Sequence, residues 1–323
     1  MQRRRKVKKS VYYVAITIIL FIGGTIFGNY KYKEYKYHET YEYKLLEHGY
    51  KEEKVKKLLD NFSEKDYEYF LNHDVNENYL KLVDEKYYLK KNFYKYIEYM
   101  ENNKKLDLST VVRNINVHLE NDFYGVEYKT DTSKDASMLV NKFYLLGSDY
   151  EPDDLVIIPQ TYSWGDKGSQ KTRKATYDAF LEMWNAASSE HGYYLMVSSS
   201  YRSYSEQETV YNNYKKARGQ KYADSIAARP GSSEHQTGLT LDIFSKSNSN
   251  KNTFKDTEVA KWLKENSYRF GFILRYPEEL VNVTGYNYES WHFRYVGKDI
   301  AKYIYENNIS FEEYYAYFIE KGV

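Results

Sequence analysis

The chain has 323 residues, with 47 Lys and Arg against 46 Asp and Glu, a net charge of +1 and no cysteine. Balanced charge, with no basic block beyond the amino terminus, argues against nucleic-acid binding. The missing cysteine excludes a Cys-based structural zinc site and a lipoprotein anchor, but leaves an exterior location open.

Arg3, Arg4, Arg5, Lys6, Lys8 and Lys9 precede an uncharged apolar run from Val11 to Gly28. At helical rise that run is about 27 Å long, close to the hydrocarbon thickness of a bilayer. Cations on the amino side predict that this end stays cytoplasmic and that everything after Asn29 lies outside. A cleaved signal peptide is the alternative; the run lacks a clear Ala-x-Ala site, and its length suits an anchor better. The expected organisation is a basic segment at 1–10, a signal anchor at 11–29, a Tyr/Lys/Glu-rich stalk with small helical units at 30–105, and a larger domain at 106–323. Nearly 300 residues beyond the anchor, about two domains' worth, suffice for a sizeable core.

From Tyr30 to Asn103 the chain has no proline and almost no glycine. Tyr30 to Tyr43 alternates tyrosine with charge, as a juxtamembrane stalk or helix. Short helices are expected at Glu52–Phe62, Glu64–Asn72, Asn78–Leu89 and Phe93–Met100. Ser63 and Asp66 form a capping-box-like start, and Val55, Leu58 and Leu59 give one apolar face. A packed spacer explains this region better than a wall- or partner-binding role. Tyrosine is enriched along the entire chain, which points to compositional bias and not to a glycan platform.

Val111–Val117 reads as a strand and Lys171–Ser188 as a helix. Tyr194–Ser200 is a strand ending in small polar residues, which puts Arg202 in a loop at a strand end. Helices at Glu206–Lys216 and Tyr222–Ala228 follow, then a strand at Leu239–Phe244, a helix at Thr257–Tyr268 and strands at Phe270–Arg275 and Trp291–Val296. Asp299–Tyr305 and Phe311–Ile319 close the chain as helices. Helices gathered around a few non-repeating strands argue for an α+β fold.

The most informative residues are Ser233-Glu234-His235-Gln236-Thr237-Gly238-Leu239-Thr240-Leu241-Asp242 and Glu289-Ser290-Trp291-His292. His235, Asp242 and His292 are three zinc-type ligands, and Glu289 stands three residues before the last, placed to act as a base. A catalytic zinc site needs three protein ligands, a fourth position for water and a carboxylate to take the water's proton. Gly238 permits a tight turn between His235 and the strand that carries Asp242. Strand alternation puts His292 and Arg294 on one face and Trp291, Phe293 and Tyr295 on the other. Arg202 offers paired donors suited to a carboxylate or an oxyanion. Ser232 and Ser233, after Pro230-Gly231, also read as turn or N-cap residues. His38, His48, His73, His118 and His191 sit in no comparable pattern and read as ordinary hydrogen-bonding residues.

The pattern Ser-x-His-x-x-Gly-x-x-x-Asp followed by Glu-x-Trp-His resembles the signature of the VanY-type zinc D,D-carboxypeptidases. The resemblance runs from about Leu139 to Val296 and includes Leu139–Leu146, Tyr150–Leu155, Ser200–Tyr204, Gln207 and Arg229–Gly238. It implies the small mixed, mostly antiparallel sheet of the Hedgehog/D,D-peptidase fold, a Zn²⁺ cofactor and a peptidoglycan stem peptide or precursor as substrate. It gives Arg202 contact with substrate oxygens and Ser233 a hold on the substrate, with Gln207 beside them. Thr240 stands where the family usually has alanine, a small change on the face that carries Asp242. The implied activity is release of terminal D-alanine outside the membrane. L,D-carboxypeptidase and endopeptidase activities use the same scaffold, and a non-catalytic wall-binding module is disfavoured by the complete set of ligands and base.

Overall fold

The computed structural model describes residues 9–164 and 170–320. The basic residues Arg3 to Lys8 lie outside that description. Two compact units divide the chain, one ending at Lys90 and one beginning at Lys91.

The first unit opens with α1 (Lys9–His38), which is long and apolar enough to cross a membrane and whose apolar window is not buried. The tyrosine-charge alternation continues this helix to His38. Four short helices follow: α2 (Tyr41–His48), α3 (Glu52–Asn61), α4 (Glu64–Leu71) and α5 (Glu77–Lys81). Thr40 caps α2, and Ser63 with Asp66 forms the expected capping box of α4. Leu45, Val55, Leu58, Phe70 and Leu80 are buried within this unit. The helix expected over Asn78–Leu89 ends at Lys81 and tightens into a 3₁₀ turn at Leu82–Asp84. Leu80 and Leu82 are both buried, and two residues apart they would face opposite sides of an α-helix.

In the second unit, α6 (Phe93–Asn102) and α7 (Leu108–Asn116) are tied by hydrogen bonds from Tyr96 Oη and Asn92 Nδ2 to Asn116 Oδ1, 2.5 and 2.9 Å. The strand expected at Val111–Val117 is therefore a helix. Asp107 caps it by accepting from Thr110 N, and Val111, Val112 and Ile115 bury one helical face. The cap and the i, i+4 spacing override the β preference of branched residues.

Short pairs flank the main sheet: β1 (Tyr128–Lys129) runs parallel to β2 (Tyr144–Leu145), and β3 (Leu155–Ile157) antiparallel to β4 (Lys171–Arg173). Lys171–Arg173 was expected to begin a helix. It is a strand because it pairs residue for residue with β3, with Thr172 Oγ1 and Arg173 N also donating to Gly238 O, at 2.7 and 2.9 Å; α8 (Lys174–His191) starts only afterwards. The main sheet holds β5 (Leu195–Ser199), β6 (Thr240–Ser245), β7 (Phe272–Leu274) and β8 (His292–Tyr295) in the order β5-β6-β8-β7, each pair antiparallel. Phe180, Met183 and Ala187 of α8 pack in one core with Leu195, Val197, Leu241, Ile243 and Phe293. Each such large apolar side chain contributes about 2 kcal/mol on burial. With Leu241 and Ile243 committed to α8, alternation turns Thr240 and Asp242 to the opposite face. The remaining helices are α9 (Tyr204–Arg218), α10 (Gln220–Ile226), α11 (Glu258–Asn266), α12 (Val281–Thr284), α13 (Lys298–Asn307) and α14 (Phe311–Tyr314), and α11 adds Val259, Ala260 and Leu263 to the core shared with α8.

Candidate metal centre and its cleft

Three separate backbone devices bring the candidate ligands together. His235 lies in a 3₁₀ turn, Glu234–Thr237, closed by Gly238 at φ +66°. A Cβ on Gly238 would come 2.9 Å from Arg173 Cγ and 3.1 Å from Leu155 Cδ2, so the turn needs glycine for space as well as for conformation. Asp242 on β6 stands directly across from His292 on β8, and such cross-strand partners have adjacent side chains. One donor atom from each of His235, Asp242 and His292 lies within 4.8 Å of the others, and all three residues are buried.

Hydrogen bonds fix which ring nitrogens face inward. His235 Nδ1 lies 2.7 Å from the Ser200 carbonyl, which can only accept, so Nδ1 carries the proton and Nε2 keeps its lone pair, 3.6 Å from Asp242 Oδ1. His292 uses the opposite nitrogen. Its Nε2 is 3.4 Å from Glu234 Oε2, while Nδ1 is 3.2 Å from Asp242 Oδ1 and 3.4 Å from Glu289 Oε2. Asp242 Oδ1 is buried without a hydrogen-bond partner. Two inward imidazole nitrogens around an orphaned carboxylate oxygen are a donor set that fits a divalent cation, and N,N,O ligation with an open position suits zinc.

The electrostatics agree with a site built for a cation. Burial pushes the His235 imidazole down, helped by the Arg202 charge, which favours the neutral ligand form. Burial opposes ionisation of Asp242, yet the two histidines hold it well below the usual carboxylate range. His292 is lowered by burial but raised more by Asp242 and Glu234, to about 9, so metal uptake there displaces a proton. Burial raises Glu289 to about 7, with the Asp242 charge adding to the rise and the His292 charge opposing it.

All seven residues singled out from the sequence line one cleft enclosing about 610 Å³: Arg202, Gln207, Ser233, His235, Asp242, Glu289 and His292. Arg202 occupies the loop after β5. Its Nη1 donates to Gln207 Oε1 at 2.7 Å and its Nη2 to Ser199 Oγ at 2.8 Å, so the guanidinium is held in place. Gln207 in turn donates to the Ala228 carbonyl at 2.7 Å. Ser233 occupies the N-cap position of the His235 turn. Glu289 is fixed by a backbone bond from its N–H to Tyr276 O, 3.0 Å.

Sequence reasoning gave no role to Glu234, Arg275, Arg294, Glu312 or Tyr276. Glu234 is fully buried, accepting from Arg275 Nε (2.8 Å) and Arg294 Nη1 (3.0 Å) while facing His292. Burial opposes its ionisation, but the two guanidiniums hold it far below the normal range. Arg275 also makes a paired contact with Glu312, 2.9 and 2.5 Å. The Tyr276 ring packs 4.7 Å from the His292 ring. The sequence signal was the position of Glu234 beside His235, and of Arg294 two residues after His292 on the same strand face.

A family model described as VanY, D-alanyl-D-alanine carboxypeptidase, matches residues 169–298. Over 180 residues the chain is 44% identical to the "Putative carboxypeptidase YodJ" of Bacillus subtilis, covering 55% of this chain and 66% of that protein's length. It is 32% identical over 183 residues to the "Bifunctional D-Ala-D-Ala dipeptidase and D-Ala-D-Ala carboxypeptidase VanXYC" of Enterococcus gallinarum, covering 55% of this chain and 93% of that protein. A solved structure of the LdcB LD-carboxypeptidase superposes with a TM-score of 0.55 at 41% identity, covering 59% of this chain and 90% of its own.

Proposed function

The chain belongs to the VanY family of D-alanyl-D-alanine carboxypeptidases, and from that premise we propose that it is a zinc-dependent D,D-carboxypeptidase releasing the terminal D-alanine of peptidoglycan stem peptides. The observation that carries this reading is the donor cluster of His235, Asp242 and His292, with the Glu289 carboxylate 3.4 Å from His292. These three residues would hold the metal. A bound zinc ion supplies a Lewis acid that polarises the scissile carbonyl and acidifies a water.

The remaining chemistry belongs to the protein's own side chains. Glu289, drawn towards neutral pH by burial, takes the proton from the attacking water and returns it to the leaving amine. Arg202, locked by Gln207 and Ser199, neutralises charge growing on the substrate's oxygens. Ser233 and Gln207 contribute to holding the peptide end from the same wall. Glu234 orients His292 through its outer nitrogen, as a carboxylate does behind many metal-bound histidines.

In this reading α1 is a single-pass anchor with a cytoplasmic amino end, the short helices after it are a spacer, and the second unit works outside the membrane. Cleavage at an L-centre, giving an L,D-carboxypeptidase, is the second reading; likeness to the LdcB structure favours it. Mass spectrometry of products from defined tri-, tetra- and pentapeptide stems separates the two. Loss of one alanine from the pentapeptide alone supports the D,D reading. Loss only from the tetrapeptide replaces it with the L,D reading.

A further inference from the structure

A second cleft, enclosing about 1170 Å³, opens beside the first and shares Arg202, Val210, Asp242 and Lys251 with it. A carboxypeptidase has unequal needs on the two sides of the bond it cuts. One released residue requires little room, whereas the retained chain needs a wide exit. On size alone the wider cleft suits the retained part of the peptide.

The charge of this cleft leans positive. Lys171, Arg202 and Lys251 face Glu206 and Asp242. Both acids are already engaged: Asp242 belongs to the donor cluster, and Glu206 accepts from Ser203 N at 2.8 Å and Ser203 Oγ at 2.7 Å as the cap of α9. Among the described residues neither Lys171 nor Lys251 is drawn into an ion pair, although the Lys171 charge lowers Glu206 and the Lys251 charge lowers Glu289. A lysine on a surface is usually only a solvated charge, but Lys251 is held. Its Nζ sits 4.7 Å from the centre of the Trp291 ring, and Trp291 stacks nearly parallel on Phe244, with ring centres 6.0 Å apart. Its loop is braced by side-chain caps, with Asn250 N donating to Asn248 Oδ1 and Asn252 N to Asn250 Oδ1, each 2.9 Å.

We propose that Lys251, supported by Lys171, is a specificity-determining residue that reads a carboxylate on the retained part of the substrate. This rests on the carboxypeptidase reading above. The ligand chemistry follows from two cations that no ion pair holds: an acidic group carried by the peptide chain upstream of the scissile bond. The amide of the same group offers no charge to either lysine.

The test uses the full-length, zinc-loaded protein and two peptides with the same D-alanyl-D-alanine end, one bearing a free side carboxylate in its retained part and the other the matching carboxamide. The charge of Lys251 is felt at Glu289, so substituting it also alters the base. Both peptides share that change, and the ratio of their kcat/KM values cancels it. Wild type is expected to prefer the acid. Lys251→Gln should lower the acid-to-amide ratio about fivefold, chiefly through KM, and Lys251→Glu by more than tenfold, as for a partly exposed ion pair. Lys171→Gln should give a smaller shift in the same direction. An unchanged ratio in all three variants overturns the proposal. Calorimetric binding of the same two peptides separates this result from failure of the parent reading. Charge-dependent binding that Lys251→Glu abolishes, without hydrolysis, keeps the subsite and overturns the peptidase. Equal binding of acid and amide by wild type overturns the subsite.

Discussion

Replacing Glu234 by glutamine tests the charge network behind the metal centre. The substitution preserves shape but removes the one carboxylate shared by Arg275, Arg294 and His292. Arg275 would keep Glu312, whereas Arg294 would keep no charged partner, only an uncharged amide oxygen and backbone carbonyls, chiefly Met138 O at 2.8 Å and Ala136 O at 3.1 Å. Breaking a fully buried ion pair from one side costs about 3–5 kcal/mol, a large share of the roughly 5–15 kcal/mol that holds a domain together. The new amide would also turn a donor towards either the guanidiniums or His292, loosening the ring. Loss of such an outer hydrogen-bond partner lowers metal affinity by about 10- to 100-fold. Denaturant unfolding of the metal-free protein and zinc titration against a competing chelator measure the two effects separately. The sign with pH follows from the depressed carboxyl: the advantage of wild type over Glu234→Gln is present above about pH 4.3 and lost as pH falls below it. Glu289→Gln is the control. Its carboxyl is raised to about 7, so wild-type stability falls as pH climbs from about 4.3 to 7, and the glutamine removes that decline. If Glu234→Gln stayed within about 1 kcal/mol of wild type and bound zinc equally well, the orienting role given to this network would be wrong.

Asp242→Ala and His292→Ala should each lose zinc and activity together; stoichiometric zinc in both purified variants would count against the ligand assignment. Glu289→Gln should keep its zinc while kcat falls at least ~10²-fold, the scale of general-base catalysis, and turnover near the normal rate would rule out the proposed base. Arg202→Ala should also keep zinc but both raise KM and lower kcat; a change in neither removes it from the site. Protease added to intact, wall-stripped cells should degrade the second unit, whereas protection would place it in the cytoplasm and exclude the proposed substrate. Asp107→Ala should destabilise the second unit by about 1 kcal/mol through loss of the α7 cap, with no change in zinc content or turnover.

The centre was legible because its chemistry is written in short segments. His235, Gly238 and Asp242 are linked by a single turn and one strand, and period-two alternation suffices to aim a strand residue. The network behind it was not legible. Arg275 and Glu312 are far apart in the chain, and in sequence a charge destined for the interior looks like one destined for solvent. The helices of the second unit are legible wherever apolar spacing and caps agree, as at Glu258–Asn266. Val111–Val117 misled because branched side chains suit a strand, while the deciding group, Asp107, lies outside the apolar segment. Lys171–Arg173 misled for a different reason: its strand conformation depends on partners outside the segment, β3 and the carbonyl of Gly238.

The facing of Asp242 and His292 across β6 and β8 also sets an order of events in the making of this protein. In the unfolded chain His235, Asp242 and His292 lie on segments that loop closure must first bring together, and no two of them form a ready chelate. The third donor arrives only with strand pairing, after the segment holding α11, β7 and α12 has been laid down. A metal ion held by these residues would therefore join late, unlike the ion on which small zinc domains fold. It would enter a pocket that packing has already shaped, so a shortage of metal is expected to leave a folded, idle protein instead of a denatured one.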